Sequence, residues 1–295
     1  MNEEHKKTHL DINKQGNREL EGIRKNRQSG SCYSGFSVVA KGGMGTILKV
    51  TDLNCGRQVV MKMAVNSDSE PDAVRYLLHE AKVTAQLEHP NITPVHELNC
   101  DEQDNFYYTM KYVQGDNLEV MLQKLKDCDP LYVKKYSLEY LLEIFMRICD
   151  GLAFAHSKGV IHRDLKPQNI MVGGFGEVLI MDWGISKVLN TSDINLEQAD
   201  LFAFTGKDLE DLYMGNMTRK VTQCGEIFGT PAYMAPEQIR GDNTMVDERT
   251  DIYALGGMLY NILSLRLPVD EEDITVLFKK VLNGDFEAPA RLEES

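Results

Sequence analysis

The densest chemistry in the sequence lies in ten consecutive residues, Ile161-His162-Arg163-Asp164-Leu165-Lys166-Pro167-Gln168-Asn169-Ile170. A carboxylate, an ammonium and a carboxamide fall within a short polar stretch bracketed by apolar residues. In such a loop Asp164 can accept a proton from a hydroxyl, Lys166 can neutralise phosphate charge and Asn169 can ligate a metal. Downstream, Asp182-Trp183-Gly184 ends the apolar stretch Val178 to Met181. A hard oxygen ligand at a strand end suits Mg²⁺.

Two further features lie upstream. Lys41-Gly42-Gly43-Met44-Gly45 reads as a turn between two strands. Glycine there lets backbone N–H groups approach a phosphate closely, although glycines between strands also make plain hairpins. The turn lacks the Gly-Lys-Ser/Thr ending of a P-loop, and a strand follows it rather than a helix. Lys62, in Val59-Val60-Met61-Lys62, stands among apolar neighbours. A buried ammonium needs a partner. Glu80, beside Leu77 and Ala81 on the apolar side of a helical pattern, is the candidate. On these residues alone, a surface lysine and a solvated glutamate fit equally well.

These groups must be held by elements that the pattern predicts. Ser37 to Val39, Ile47 to Thr51 and Gln58 to Val65 read as an antiparallel meander with turns at the glycines and at Asn54-Cys55-Gly56. Pro71 opens a helix in which Val74, Leu77, Leu78, Ala81, Ala85 and Leu87 recur at helical spacing. Strands return at Thr93 to Leu98 and Phe106 to Tyr112. Beyond Gly115 the pattern turns helical. Ser137 caps a helix with the apolar face Leu138, Leu141, Leu142, Phe145, Ile148, Cys149 and Leu152, which Gly159 stops. A short β-loop-β stretch covers Val160 to Met181. Further helices follow from Asp251. The expected architecture is α+β, with a small antiparallel β-sheet lobe carrying one helix, then a larger, mainly helical lobe.

With 295 residues, 42% of them hydrophobic, the chain can bury a large core. Its formal net charge of −13 argues against general binding to nucleic acid or to anionic membranes, since both reward a basic face. Cys32, Cys55, Cys100, Cys128, Cys149 and Cys224 show no CxxC spacing, so neither a zinc site nor a disulfide framework is expected. No apolar signal segment opens the chain, and a reducing cytoplasm fits best, with room for a membrane anchor in a longer parent. Ile252 to Val269 is apolar but interrupted by Asn261, Ser264 and Arg266, so it reads as a buried helix and not a membrane span. Residues 1–31 are polar and charged and are expected to form a disordered tail. His5 and His9 have i,i+4 spacing, but no HExxH pattern surrounds them, and a solvated tail is the reading adopted.

Taken together and in order, these motifs resemble the eukaryotic-type protein kinase family. The Gly-Gly-Met-Gly turn is similar to that of its bacterial serine/threonine branch. The set comprises a glycine-rich loop at residues 39–47, Lys62, Glu80, His162-Arg163-Asp164, Asn169 and Asp182-Trp183-Gly184. It is completed by Gly229-Thr230-Pro231-Ala232-Tyr233-Met234-Ala235-Pro236-Glu237 and by Asp251. The resemblance implies a bilobal kinase domain over residues 32–295, with an N-lobe at about 32–113 and a C-lobe from about 114. It also implies a chain that stops before the family's last helices.

The implied substrates are Mg-ATP and serine or threonine hydroxyls of proteins, with ATP in the cleft between the lobes. By the same resemblance, Val39, Gly42, Gly43, Gly45 and Ile47 cover the nucleotide, and Lys62, held by Glu80, contacts its α- and β-phosphates. Met110 is the gatekeeper residue. Lys111 and Val113 belong to the hinge against adenine. Asn169 and Asp182 hold Mg²⁺. Asp164 is the base, and Lys166 stabilises the transferred group. Arg163 implies control by a phosphorylated activation-segment residue, with Thr222 first and Thr218 second, and autophosphorylation there is expected. Dimerisation through the small lobe is a further implication.

Three residues depart from the family pattern. Ala40 replaces the first loop glycine, Trp183 replaces the usual Phe, and Lys111 stands where an acid is common. An acidic insert at 190–217 carries Asp193, Glu197, Asp200, Asp208, Glu210 and Asp211 against Lys207 alone. A short helix around Leu209 to Met214 is expected within it, as a plain loop or as a docking element. The rivals to the enzyme reading are a pseudokinase scaffold and a small-molecule kinase. Intact Lys62, Asp164 and Asp182 argue against the first, and the segment from Gly229 to Glu237 argues against the second.

Overall fold

The computed structural model describes residues 32–42, 45–64, 73–102, 105–189 and 231–288. The polar tail, Gly43, Pro71, the acidic insert, Thr218, Thr222, Cys224, Gly229 and Thr230 lie outside these residues. Two compact units are present, residues 1–78 with 95–112 and residues 79–94 with 113–295.

The first unit is a five-stranded antiparallel sheet. Its strands are β1 (Tyr33–Gly42), β2 (Gly45–Asp52), β3 (Arg57–Met63), β4 (Val95–Cys100) and β5 (Phe106–Lys111), in the spatial order β1-β2-β3-β5-β4. The expected meander is present, and β1 runs longer than the triplet Ser37 to Val39 expected for it. Two irregularities in the β1–β2 register accompany that length. Asp52 closes the β2–β3 turn by accepting the N–H groups of Asn54 (3.0 Å) and Cys55 (3.2 Å), and Gly56 supplies the left-handed residue. One face buries Tyr33, Val50, Val59, Met61 and Tyr107. Each such side chain contributes about 1.5–3 kcal/mol of transfer free energy. The strand period of two puts Lys62 on the opposite face.

The helix α1 (Ala73–Gln86) is divided between the units, the boundary falling between Leu78 and His79. In the second unit, β6 (Gly115–Asn117) leads into α2 (Leu118–Lys126) and α3 (Pro130–Lys135). Then come α4 (Leu138–Ser157), β7 (Val160–Ile161), β8 (Ile170–Gly173), β9 (Val178–Ile180) and β10 (Lys187–Val188). After the acidic segment follow α5 (Pro236–Ile239), α6 (Glu248–Ser264) and α7 (Ile274–Asn283).

The capping expectation for α4 holds: Ser137 Oγ accepts the Tyr140 N–H at 3.3 Å, and Gly159 beyond the helix has φ 71°. Leu141, Ile144, Ile148 and Leu152 of α4 join Ala254, Leu255, Met258 and Ile262 of α6 in one core with β8 and β9. The apolar run from Ile252 is thus a largely buried helix. Among the described residues no helix is long and apolar enough to cross a membrane.

Candidate active site

The loop from His162 to Asn169 is held from beneath. β7 is fully buried and pairs with β10, so the loop leaves a fixed strand end. Arg163 then takes a left-handed backbone, φ 69°, which costs a non-glycine residue on the order of 1–3 kcal/mol. The offset comes from Asp251, a buried carboxylate in the first turn of α6. It accepts the backbone N–H of His162 at 2.8 Å and that of Arg163 at 2.9 Å. His156, at the end of α4, approaches the same carboxylate through Nε2 at 2.8 Å. Charge-assisted hydrogen bonds of this kind contribute about 1.5–3 kcal/mol each.

His162 is a second brace. Its Nδ1 accepts the Asp164 N–H at 3.2 Å, which leaves the ring proton on Nε2 to donate to the Met181 carbonyl at 3.0 Å. The ring packs on Trp183, with centroids 4.6 Å apart. Gln238 donates to the Arg163 carbonyl at 2.7 Å.

On this frame the three candidate catalytic groups meet. Lys166 Nζ lies 2.6 Å from Asp164 Oδ2. Asn169 Nδ2 donates to the Asp164 carbonyl at 2.7 Å and approaches Asp164 Oδ2 at 3.4 Å. The Asn169 backbone carbonyl accepts the Met181 N–H at 2.8 Å, tying the loop to the residue before Asp182. Asp182 itself is left-handed, φ 63°.

Glu80 is buried, and a side chain built on Gly184 would sit 3.5 Å from both Glu80 Oε2 and Asp182 Oδ1. The two carboxylates therefore flank Gly184. His79 Nε2 lies 3.2 Å from the Ser186 carbonyl, and burial lowers the His79 pKa from the usual histidine value. The neutral ring donates that bond.

In the first unit, β1 and β2 pair down to Gly42 opposite Gly45. Gly45 has φ 154°, and a side chain there would collide with the Met63 carbonyl oxygen, so only glycine fits. Ala40 pairs with Ile47, Ile47 with Lys62 and Lys62 with Tyr108, so these residues form one row across the sheet. Met110, opposite Val60, lies on the same face and is buried. Val39 is exposed on β1. Lys111 ends β5, and buried Val113 begins the longer segment of the second unit.

Three contributors escaped the sequence reading. His156 was hidden in an ordinary helix end. Gln238 showed no pattern at all. Lys187 donates to the carbonyls of Asn243 (2.8 Å) and Val246 (2.9 Å).

A glycine hairpin with a lysine two strands along, and a braced carboxylate–lysine–amide loop beside a strand-end aspartate, define a phosphoryl-transfer domain. The family model described as protein kinase domain matches residues 33–293. The chain belongs to the protein kinase family, on its bacterial serine/threonine branch.

Several relatives are chlamydial proteins named serine/threonine-protein kinase PknD. That of Chlamydia caviae is 38% identical over 240 residues, covering 80% of this chain and 24% of the relative. That of Protochlamydia amoebophila is 36% identical over 263 residues, covering 87% and 25%. That of Chlamydia trachomatis serovar L2b is 39% identical over 241 residues, covering 80% and 25%. The chain spans about a quarter of the length of these relatives.

Proposed function

We propose that this domain binds Mg-ATP and transfers the γ-phosphoryl group to serine and threonine hydroxyls of proteins in the cytoplasm, its own activation segment included. The arrangement around Asp164 carries the reading. Lys166 occupies one carboxylate oxygen, and among the described residues no hydrogen bond reaches the other. Asp164 Oδ1 is thus the acceptor for the proton of an incoming hydroxyl. Lys166 stays within reach of both the base and the transferred group, where its charge stabilises the transition state.

The residues fit a magnesium ion that arrives with phosphates. Asn169 commits its Nδ2 to Asp164, which leaves Oδ1 as a hard donor, and Asp182 would supply a second. Mg²⁺ takes one or two such ligands and completes its shell with phosphate oxygens and water. Among the described residues no cluster of three His, Cys, Asp or Glu could hold a metal by itself. When bound, the ion would neutralise phosphate charge. In this proposal Lys62 serves the α- and β-phosphates with Glu80 as its partner, and Val39, Gly42, Gly43, Gly45 and Ile47 cover them. Met110, Lys111 and Val113 border the adenine.

Regulation by phosphorylation at Thr222 or Thr218 belongs to the same proposal. Arg163 Nη2 donates to Asn243 Oδ1 at 2.7 Å, and Lys187 holds the Asn243 carbonyl. Burial, and then the nearby Arg163 charge, lower the Lys187 pKa. Two cations this close gain from an added phosphate.

The test is transfer of labelled γ-phosphate to the chain itself and to a basic protein substrate. Asp164→Asn is expected to lower the rate by about 10²–10⁴-fold, the usual contribution of a general base. Equal rates in parent and variant would refute the assignment. ATP binding without transfer by the parent would favour a scaffold.

A further inference from the structure

The sheet of the first unit presents a second lysine on the face that carries Lys62. On β2, Leu48 and Val50 turn toward the core built with Val59, Met61 and Tyr107. Side chains alternate along a strand, so Ile47 and Lys49 turn the other way. The register agrees. Ser37 pairs with Lys49, Lys49 with Val60 and Val60 with Met110, and directly opposed residues share a face. Ser37, Lys49, Val60 and Met110 therefore form a row beside the row of Ala40, Ile47, Lys62 and Tyr108. The two rows are two residues apart, about 7 Å along the strands. The Lys62 row is the nearer to the Gly42–Gly45 hairpin.

Lys49 is half-buried, and its ammonium stands 4.2 Å from the centre of the Tyr112 ring. A cation over an aromatic face is attracted by the ring's quadrupole. Tyr112 is the last residue of the first unit and follows Met110 by two positions. Among the described residues no carboxylate pairs with Lys49. β3 lies between β2 and β5, so the pair spans β3 on this face. The backbone joins β2 to β5 only through β3. The clasp of Lys49 on Tyr112 joins them directly.

We propose that Lys49 and Tyr112 border the base of the bound nucleotide, with Lys49 as a positioning residue for it. This rests on the nucleotide reading above, in which the hairpin and Lys62 take the phosphates and Met110 the adenine. Lys49 shares the Met110 row and so belongs to the base end of the face. A lysine's methylenes cover apolar surface while its head keeps the charge. With that head committed to the Tyr112 ring, the pair offers the base a flat wall and the phosphates no ionic contact. A wall already held in place also costs less ordering on binding than two loose side chains.

The experiment is calorimetric binding of ATP, ADP and adenosine to the full chain, with denaturant stability measured beside it. Lys49→Met keeps the stem and removes the charge. It is expected to weaken all three ligands by one common factor, roughly 2–5-fold, the size of an exposed cation–π contact. Tyr112→Ala is expected to show the same factor, Tyr112→Phe none, and the double variant no more than either single. Lys62→Met provides the contrast, weakening ATP and ADP and sparing adenosine. Three results overturn the clasp: a loss confined to ATP and ADP, additive losses in the double variant, or lowered stability with unchanged affinities. A parent chain that binds none of the three ligands overturns the nucleotide reading, and the clasp with it.

Discussion

The catalytic loop and the glycine hairpin, both assigned to phosphate chemistry in the proposed function, are built in opposite ways. The loop is anchored by buried polar groups. Asp251, His162 and Asn169 fix its backbone from three sides, and its left-handed non-glycine residue, Arg163, persists because those bonds over-determine it. The hairpin has almost no such support. Most of β1 is exposed, its register breaks twice, and Gly45 alone is dictated by close packing. A group that abstracts a proton needs fixed geometry, whereas a cover over phosphates must move to admit and release nucleotide.

Four substitutions sharpen or break that contrast. The largest effect is expected for Asp251→Ala. It strips an acceptor from two backbone amides and His156, so unfolding in denaturant should lose about 3–5 kcal/mol. A loss below about 1 kcal/mol would mean that the loop does not rest on this carboxylate. Gly45→Ala comes next, at about 1–3 kcal/mol, because β2 must retreat from the Met63 carbonyl. The same assay would show no change if the hairpin simply yields.

His79 gives a smaller effect that depends on pH. Its folded pKa lies below 6.5 because burial disfavours the charged ring. The unfolded chain therefore binds the proton more readily. The stability is fully present above about 6.5 and is lost as pH falls from there toward the folded value. Midpoints at pH 5, 6 and 7 should show that slope, and His79→Gln should flatten it. The smallest effect belongs to the hairpin's surface: Phe36→Ser is expected within about 0.5 kcal/mol of the parent. A larger loss would show β1 to be more firmly packed than its exposure indicates.

Much of the site was legible because its residues cluster along the chain. Asp164, Lys166 and Asn169 fall in one short loop, and Lys62 follows strand text whose period of two is short-range. Ser137 announced its helix, since a cap and its partner amide are three residues apart. The supports were not legible for the converse reason. His156 meets Asp251 across 95 positions, and the His162 amide meets the same carboxylate across 89. No local pattern marks one buried aspartate as the acceptor for another element's backbone.

The sequence by itself determined the succession of a strand-rich part and a helical part, the Ser137 cap, the turn at Asn54-Cys55-Gly56 and which residues are candidates for the reacting groups. Propensity, hydrophobic period and turn chemistry act over a few residues, so these features are written locally. Tertiary structure alone decided which carboxylate carries the loop and that His162 binds Met181 rather than water. It also decided that Lys166 and Asn169 converge on one aspartate, and that the Lys49 ammonium stands over the Tyr112 ring. Those outcomes depend on long-range packing, which brings distant residues into contact only after the core of α4, α6, β8 and β9 has closed.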